Sequence, residues 1–299
     1  MGKALYKDYV GNQYIHKLQS GSDIILKTLN NKEPCLITRF GTTELSVLDY
    51  YLKNKAQSCQ FPENLKINLA DLSGFFPTSD HMLIKFCNDF ISCIKNIDIV
   101  GVRWEAEDIY SWEMENSVCT TFCPNAELIE INQLTPLWNE HPWTSYLENK
   151  KVLVIHPFEK SIRAQYKNRK KIFSSDKLLP EFELLTLKAV QSLADEKNQL
   201  RYESWFDALS YMCEQIEHID FDVSIIGAGA YGMFLGNFCK NLGKKAIHIG
   251  GGVQILFGIM GKRWNNIDCV SMFYNEYWVN PLAEEKPRGA ERVENGCYW

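Results

Sequence analysis

Apolar residues recur along this chain in two alternating rhythms. Short runs rich in Val, Ile and Leu, such as Val152-Leu-Val-Ile155 and Val223-Ser-Ile-Ile226, are bounded by turn residues. Between them lie longer stretches in which apolar residues return every three or four positions. The short runs predict strands over 35–39, 97–102, 151–156, 182–190, 222–226, 245–249 and 269–273. The longer stretches predict helices over 15–29, 43–54, 79–95, 161–173, 204–218 and 230–242. Strands alternating with helices of this length predict βαβ units. The expected class is α/β, an open Rossmann-like, mostly parallel sheet with helices on both faces.

Local chemistry fixes some of the boundaries. Ser204 followed by Asp207 reads as a helix N-cap with an acidic third residue. Behind it Trp205, Leu209, Met212 and Ile216 keep helical spacing, so one face is expected to be buried. Gly243 reads as the C-terminal stop of the helix before it. The stretch 134–149, with Pro136, Trp138, Pro142 and Trp143, reads as a connector. It divides one α/β domain over 1–275 into halves of about 1–145 and 150–275. Residues 276–299 look irregular, but the aromatic Cys297-Tyr298-Trp299 predicts that they dock.

Composition narrows the class. The chain has 299 residues, 45% hydrophobic and 23% charged, which excludes disordered, collagenous and coiled-coil proteins. No apolar run approaches the ~20 residues that span a bilayer. The N-terminal stretch lacks the apolar core of a signal peptide, and Tyr6 stands where myristoylation needs Ser or Thr. A net charge of −5 argues against a nucleic-acid partner. Ten cysteines form no CxxC pair, and Cys119 and Cys123 lack zinc-finger partners. Reduced, mostly buried thiols in a cytoplasmic protein are expected.

The strongest chemical signal is Asp222-Val-Ser-Ile-Ile-Gly227-Ala-Gly229-Ala-Tyr231-Gly232, an apolar strand running into G-x-G-x-x-G and then a helix. Such glycines let backbone N–H groups approach a phosphate, and the helix N-terminus adds partial positive charge. An NAD site would carry Asp or Glu after the next strand, where this chain has His248-Ile-Gly250-Gly251-Gly252. Three readings follow: a phosphorylated ligand at Gly227, Gly229, Tyr231 and Gly232, a dinucleotide in an NAD-linked oxidoreductase, or a turn that serves packing alone. The second glycine cluster also follows a strand, and ligand crevices form at the carboxyl ends of parallel strands, so Gly251 belongs to the same rim. His248 is a ligand contact, a base or a packed histidine. Gln254 reads a polar ligand or caps a helix.

Two more segments reach that rim. From His156, the end of a strand, the chain runs into a helix holding Ser161, Gln165 and Arg169 on one face. Six basic residues fall between Lys160 and Lys171. The helix offers an anion site at Ser161 and Arg163, a solvated basic face, or a patch for an anionic membrane or lipid-linked acceptor. The other segment is Cys35-Leu-Ile-Thr-Arg39-Phe-Gly41-Thr42-Thr-Glu44-Leu45. Glu44 there either complements a helix dipole or contacts a metal or an acceptor hydroxyl.

Together, R-F-G-T-T-E-L at 39–45, the central strand with its polar helix, and the late glycine turn closed by Lys-Lys-Ala-Ile-His-Ile-Gly resemble the GT-D-fold glycosyltransferases and related proteins of bacterial surface-polysaccharide clusters. Gly74-Phe-Phe-Pro77, Ile155-His-Pro-Phe158, the stretch 254–264 and Asn275-Glu-Tyr-Trp278 resemble that subgroup too. The resemblance implies a nucleotide-sugar donor, a glycan or lipid-linked glycan acceptor, and work in the cytoplasm or at the inner membrane face. It implies a donor site at Arg39, Gly41 and Glu44, with Mn or Mg held by an Asp-x-Glu pair. The Asp of that pair is Thr42 here, leaving Glu44. Positive charge for the leaving diphosphate is then expected from Arg163, Lys167 and Arg169. Glu44 is the first candidate base, His156 or His248 the second. Trp104, Trp112 and Tyr166 are candidates to stack a base or sugar. The alternatives are a non-catalytic nucleotide- or sugar-binding protein and the NAD-linked oxidoreductase.

Overall fold

The computed structural model describes residues 8–55, 59–103, 109–193 and 201–299, and Trp104 lies outside them. The chain begins with β1 (Tyr9–Val10), β2 (Gln13–His16), α1 (Gln19–Asn30), β3 (Cys35–Arg39), α2 (Thr42–Asn54), α3 (Glu63–Ser73) and α4 (Asp80–Ile94). It continues through β4 (Ile99–Val102), α5 (Ile109–Phe122), β5 (Glu127–Glu130), β6 (Lys151–His156), α6 (Glu159–Tyr166), α7 (Arg169–Ile172) and β7 (Glu183–Lys188). Then come α8 (Trp205–Glu217), β8 (Val223–Ile226), α9 (Tyr231–Asn241), β9 (Lys245–His248), α10 (Gly252–Leu256), α11 (Lys262–Asn265) and α12 (Asp268–Ser271).

The strands form one nine-stranded sheet in the order β1-β2-β5-β4-β3-β9-β8-β6-β7. The β1–β2 hairpin is antiparallel, and the other ladders are parallel. Alternating strand residues explain why both faces are covered. Leu36, Val100, Leu128, Leu153, Ile155 and Ala246 pack into one core with α2, α4, α8 and α9. Their neighbours Ile37, Ile99, Ile129, Val152, Val154 and Ile247 pack into a second core with α1, α6 and α10. The α/β class expected from the sequence is the fold observed.

The Ser204–Asp207 capping box forms, and Gly243 stops α9 at φ 78°. Three expectations change. Residues 269–273 are not a strand: the Val270 and Ser271 N–H groups return to Ile267 O, closing the short helix α12. The basic helix over 161–173 breaks at Asn168 into α6 and α7. Ile15 and His16 pair with β5, so the first helix starts only at Gln19. The connector 134–149 is a string of 3-10 turns.

Candidate functional site

Strands β3, β9, β8 and β6 are neighbours and parallel, so their carboxyl ends deliver Arg39, His248, Gly227 and His156 to one rim. A cleft of about 240 Å³ opens there. Arg39, Gly41, Thr42, Glu44, His156, Gly227, Gly229, His248, Gly251 and Gln254, all singled out from the sequence, line it.

The turn after β3 is braced from behind. Arg103, just past β4, donates to Phe40 O at 2.9 Å and pairs with the fully buried Glu115 at 2.5 Å. A buried ion pair of this kind holds its place because removing either partner strands the other charge. In front, the buried Glu44 carboxylate accepts a hydrogen bond from Thr43 Oγ1 at 2.8 Å, and that hydroxyl meets Ser73 Oγ from α3. Arg39 is half-buried, and its guanidinium makes no hydrogen bond or ion pair among the described residues. Burial and the nearby Arg103 pull its pKa below the ordinary arginine value, while Glu44 and Tyr298 pull it back up.

Both histidines are neutral. Burial pushes His156 down to about 3, and its Nδ1 accepts the Phe158 N–H at 2.9 Å, which leaves the proton on Nε2. Burial, together with Arg39, pushes His248 to about 3 as well, and its Nδ1 lies 2.9 Å from Thr38 Oγ1. Groups this reluctant to take a proton are weak bases at neutral pH.

The glycine turns bring backbone to the rim. Gly229 and Gly250 adopt φ of 52° and 57°, where a side chain would strain the turn. A Cβ on Gly227 would lie 2.5 Å from Gly250 O, so the turns after β8 and β9 touch.

Several residues singled out from the sequence, Trp112 among them, are not brought to the cleft. Gly232 is covered by the His248 ring, for which its missing side chain makes room. Tyr231 is buried, stacked on Trp205 at 4.7 Å, with its hydroxyl 2.9 Å from Ser192 Oγ. The basic helix is already satisfied from within the chain. Glu285 places its carboxylate on the start of α6, accepting the Ser161 hydroxyl and the Lys160 N–H, the latter at 2.7 Å. Gln165 donates to Gly258 O and Tyr277 O. Arg163 points to solvent, paired with Glu159 at 2.8 Å, and Arg169 pairs with Glu181 at 2.6 Å. Lys167 is exposed. Tyr166 stacks on Phe182 at 4.5 Å, binds backbone groups of 180–182 through its hydroxyl and does not line the cleft.

Other residues complete the cleft without having been foreseen: Ser73, Phe158, Gln191, Arg263, Glu294, Tyr298 and Trp299. Arg263 pairs with Glu294, donates to Tyr298 Oη at 2.9 Å and lies over that ring at 4.7 Å. Both hydrogens of the Gln254 amide are used, by Met260 O at 2.6 Å and Tyr298 O at 2.8 Å. Gln254 thus ties down the 276–299 segment rather than reading a ligand through its N–H groups. The signal in the sequence was the aromatic Tyr298-Trp299 pair, legible as docking but not as cleft wall.

The residues do not fit a protein-held divalent cation. Thr42 stands where a second carboxylate is expected, Glu44 accepts from Thr43, and Glu294 is engaged by Arg263. Among the described residues no group of three or more His, Cys, Asp or Glu comes together that could hold a metal ion. Among the described residues, likewise, no helix is long and apolar enough to cross a membrane.

No protein-family model and no curated protein matches the chain. Two solved structures align with 92% of this chain and 94% of their own. One is described as a domain of unknown function 1792 with a distinct glycosyltransferase fold, 9% identical with a TM-score of 0.45. The other is a selenomethionine-substituted structure of domain of unknown function 1792, 8% identical with a TM-score of 0.46.

Proposed function

We propose that this protein is a glycosyltransferase that moves a sugar from a nucleotide-sugar donor to a hydroxyl of a glycan or lipid-linked glycan acceptor. The observation that carries the reading is Arg39: a guanidinium at the crevice of a parallel sheet, unpaired among the described residues, beside two glycine turns. A half-buried guanidinium that makes no hydrogen bond among the described residues leaves its donors open to an anion. Free backbone N–H groups at such turns add further donors for an anion such as a phosphate.

In the reaction, the acceptor oxygen bonds to the anomeric carbon while the bond from that carbon to the diphosphate oxygen breaks. The electron pair leaves with the diphosphate, and the hydroxyl proton passes to the Glu44 carboxylate. Arg39 and the N–H groups of Ala228, Gly229 and Gly251, which have no acceptor among the described residues, stabilise the negative charge that develops on the leaving group. His156, neutral with its proton on Nε2, is a hydrogen-bond donor to the same group. The charge expected from Arg163 and Arg169 is not used.

The reading places the protein in the cytoplasm, at the inner membrane face if the acceptor is lipid-linked. Incubation with UDP-, GDP-, CMP- and dTDP-sugars, with and without Mn²⁺ and with glycan acceptors, tests it through release of free nucleotide. Turnover with one donor, lost in Arg39→Ala, supports the reading. Tight binding without turnover across the whole panel leaves a nucleotide-sugar-binding protein instead.

A further inference from the structure

We infer that the aromatic end of the cleft, Trp299 beside Tyr298, is the seat of the nucleobase, and that the natural ligand is a nucleoside diphosphate whose phosphates lie at Arg39. This rests on the reading of the cleft as a nucleotide-sugar site and adds which surface holds which part of the donor.

The cleft has two chemically different ends. One is cationic and rich in backbone: Arg39 with the turns at Gly227–Gly229 and Gly250. The other is aromatic. Trp299 meets Phe158 at 5.9 Å and Tyr298 at 5.8 Å, with ring planes at 68° and 84°. Both contacts are edge-to-face and neither is a parallel stack, and the half-buried indole lines the cleft. Tyr298 is held in place from behind by Trp264, whose ring lies 6.0 Å away, and by the Arg263 guanidinium. Arg263 is itself neutralised by Glu294. This end therefore carries no spare positive charge for a second anion. It suits a flat, uncharged, polar group, and a nucleobase stacking on an indole face is such a group.

The two ends are one residue apart along the chain. A Cβ on Gly250 would lie 3.7 Å from Arg39 Nη1, and a Cβ on Gly251 would lie 3.1 Å from Tyr298 Cε1. Adjacent Cα atoms are about 3.8 Å apart, so the guanidinium and the ring sit within about 14 Å of each other. One nucleoside diphosphate spans such a distance; inorganic pyrophosphate fills the cationic end alone. The absent side chain at 251 lets the Tyr298 and Trp264 rings pack close to the backbone there.

Calorimetric titration of the full chain with UDP, GDP, CDP and inorganic pyrophosphate separates the possibilities. At least one nucleoside diphosphate is expected to bind more tightly than pyrophosphate. Trp299→Ala is expected to weaken that nucleotide roughly five- to 150-fold while leaving pyrophosphate affinity unchanged. Trp299→Phe keeps an aromatic face and is expected to retain most of the affinity, which guards against a variant that merely loosens the wall. Nucleotide binding should also quench fluorescence in the parent and not in Trp299→Phe. Equal affinity of nucleotides and pyrophosphate, or loss of both in Trp299→Ala, overturns the base-seat assignment and leaves the phosphate site standing. Failure of every ligand to bind the parent protein overturns the nucleotide reading itself.

Discussion

The Glu44 carboxylate folds back over Gly41 so closely that a Cβ at position 41 would lie 2.5 Å from Glu44 Cδ and overlap its oxygens. Gly41 has φ −83°, so its backbone suits any residue, and the constraint is steric alone. The R-F-G-x-x-E pattern is thus one device: the glycine leaves space, and the glutamate of the next helical turn fills it. Gly41→Ala is expected to displace the flexible carboxylate at little cost, moving the thermal midpoint by less than about 3 °C, while abolishing sugar transfer. Glu44→Gln preserves shape and removes the proton acceptor; kcat is expected to fall about 10²- to 10⁴-fold. Paired melting curves and donor-turnover assays check both. Full activity in Glu44→Gln removes Glu44 as the base.

The two arginines singled out from the sequence should behave oppositely. Arg39 has no partner among the described residues, so a bound phosphate gains a charged hydrogen bond there; Arg39→Ala is expected to weaken nucleotide binding by about 1.5–3 kcal/mol. Arg163 is exposed and already paired with Glu159 and Thr186. Arg163→Ala is expected to leave nucleotide affinity within twofold of the parent. Titration of both variants with one nucleotide decides, and a large loss in Arg163→Ala would return the basic helix to the donor site.

What was legible in the sequence follows from how local each cause is. The run 151–156 is a strand because its own apolar residues demand burial on both faces, and the structure agrees. The capping box at Ser204 involves neighbours in sequence and was equally readable. Helix α5 was not, because its buried face includes Ser111 and Glu115, the latter holding Arg103, and polar residues there hide the helical stripe. The basic helix misled for a related reason. Its anion is Glu285, 124 residues from Ser161, and no local pattern announces so distant a partner. Arg39, Gly41 and Glu44 could be grouped from the sequence because one turn carries all three. The aromatic wall could not, because docking of 276–299 alone brings Tyr298 to that turn.

The buried histidines predict a pH dependence of stability. His156 and His248 sit near 3 in the folded protein and near 6.5 when unfolded. Between those values the unfolded chain binds more protons. Stability is therefore fully present above about pH 6.5 and is lost as the pH falls toward 3, by up to about 1.4 kcal/mol per pH unit for each histidine. His156→Asn places an oxygen where Nδ1 accepts the Phe158 N–H and removes the titration. Urea denaturation at pH 7, 6 and 5 should give a shallower loss for this variant than for the parent. Parallel slopes would mean that His156 titrates normally in the folded state.

Glu285 sets a last expectation. Its carboxylate supplies the anion that the start of α6 and Ser161 would otherwise seek from outside, and it is 3% exposed. The adjoining Lys160–Glu284 pair lies at the surface and contributes little. Glu285→Ala leaves buried donors on α6 without an acceptor and is expected to cost about 1.5–3 kcal/mol, with Glu285→Gln costing less because its carbonyl still accepts. Because residues 276–299 also form the aromatic wall, the alanine variant should weaken nucleotide binding as well as stability, although Glu285 does not line the cleft. Urea denaturation followed by nucleotide titration at matched folded fraction distinguishes the two effects. If Glu285→Ala is as stable as the parent, the contacts of Tyr277 with Gln165 and of Trp278 with Ile172 hold the segment without it. In that case the start of α6 is open to an external anion after all.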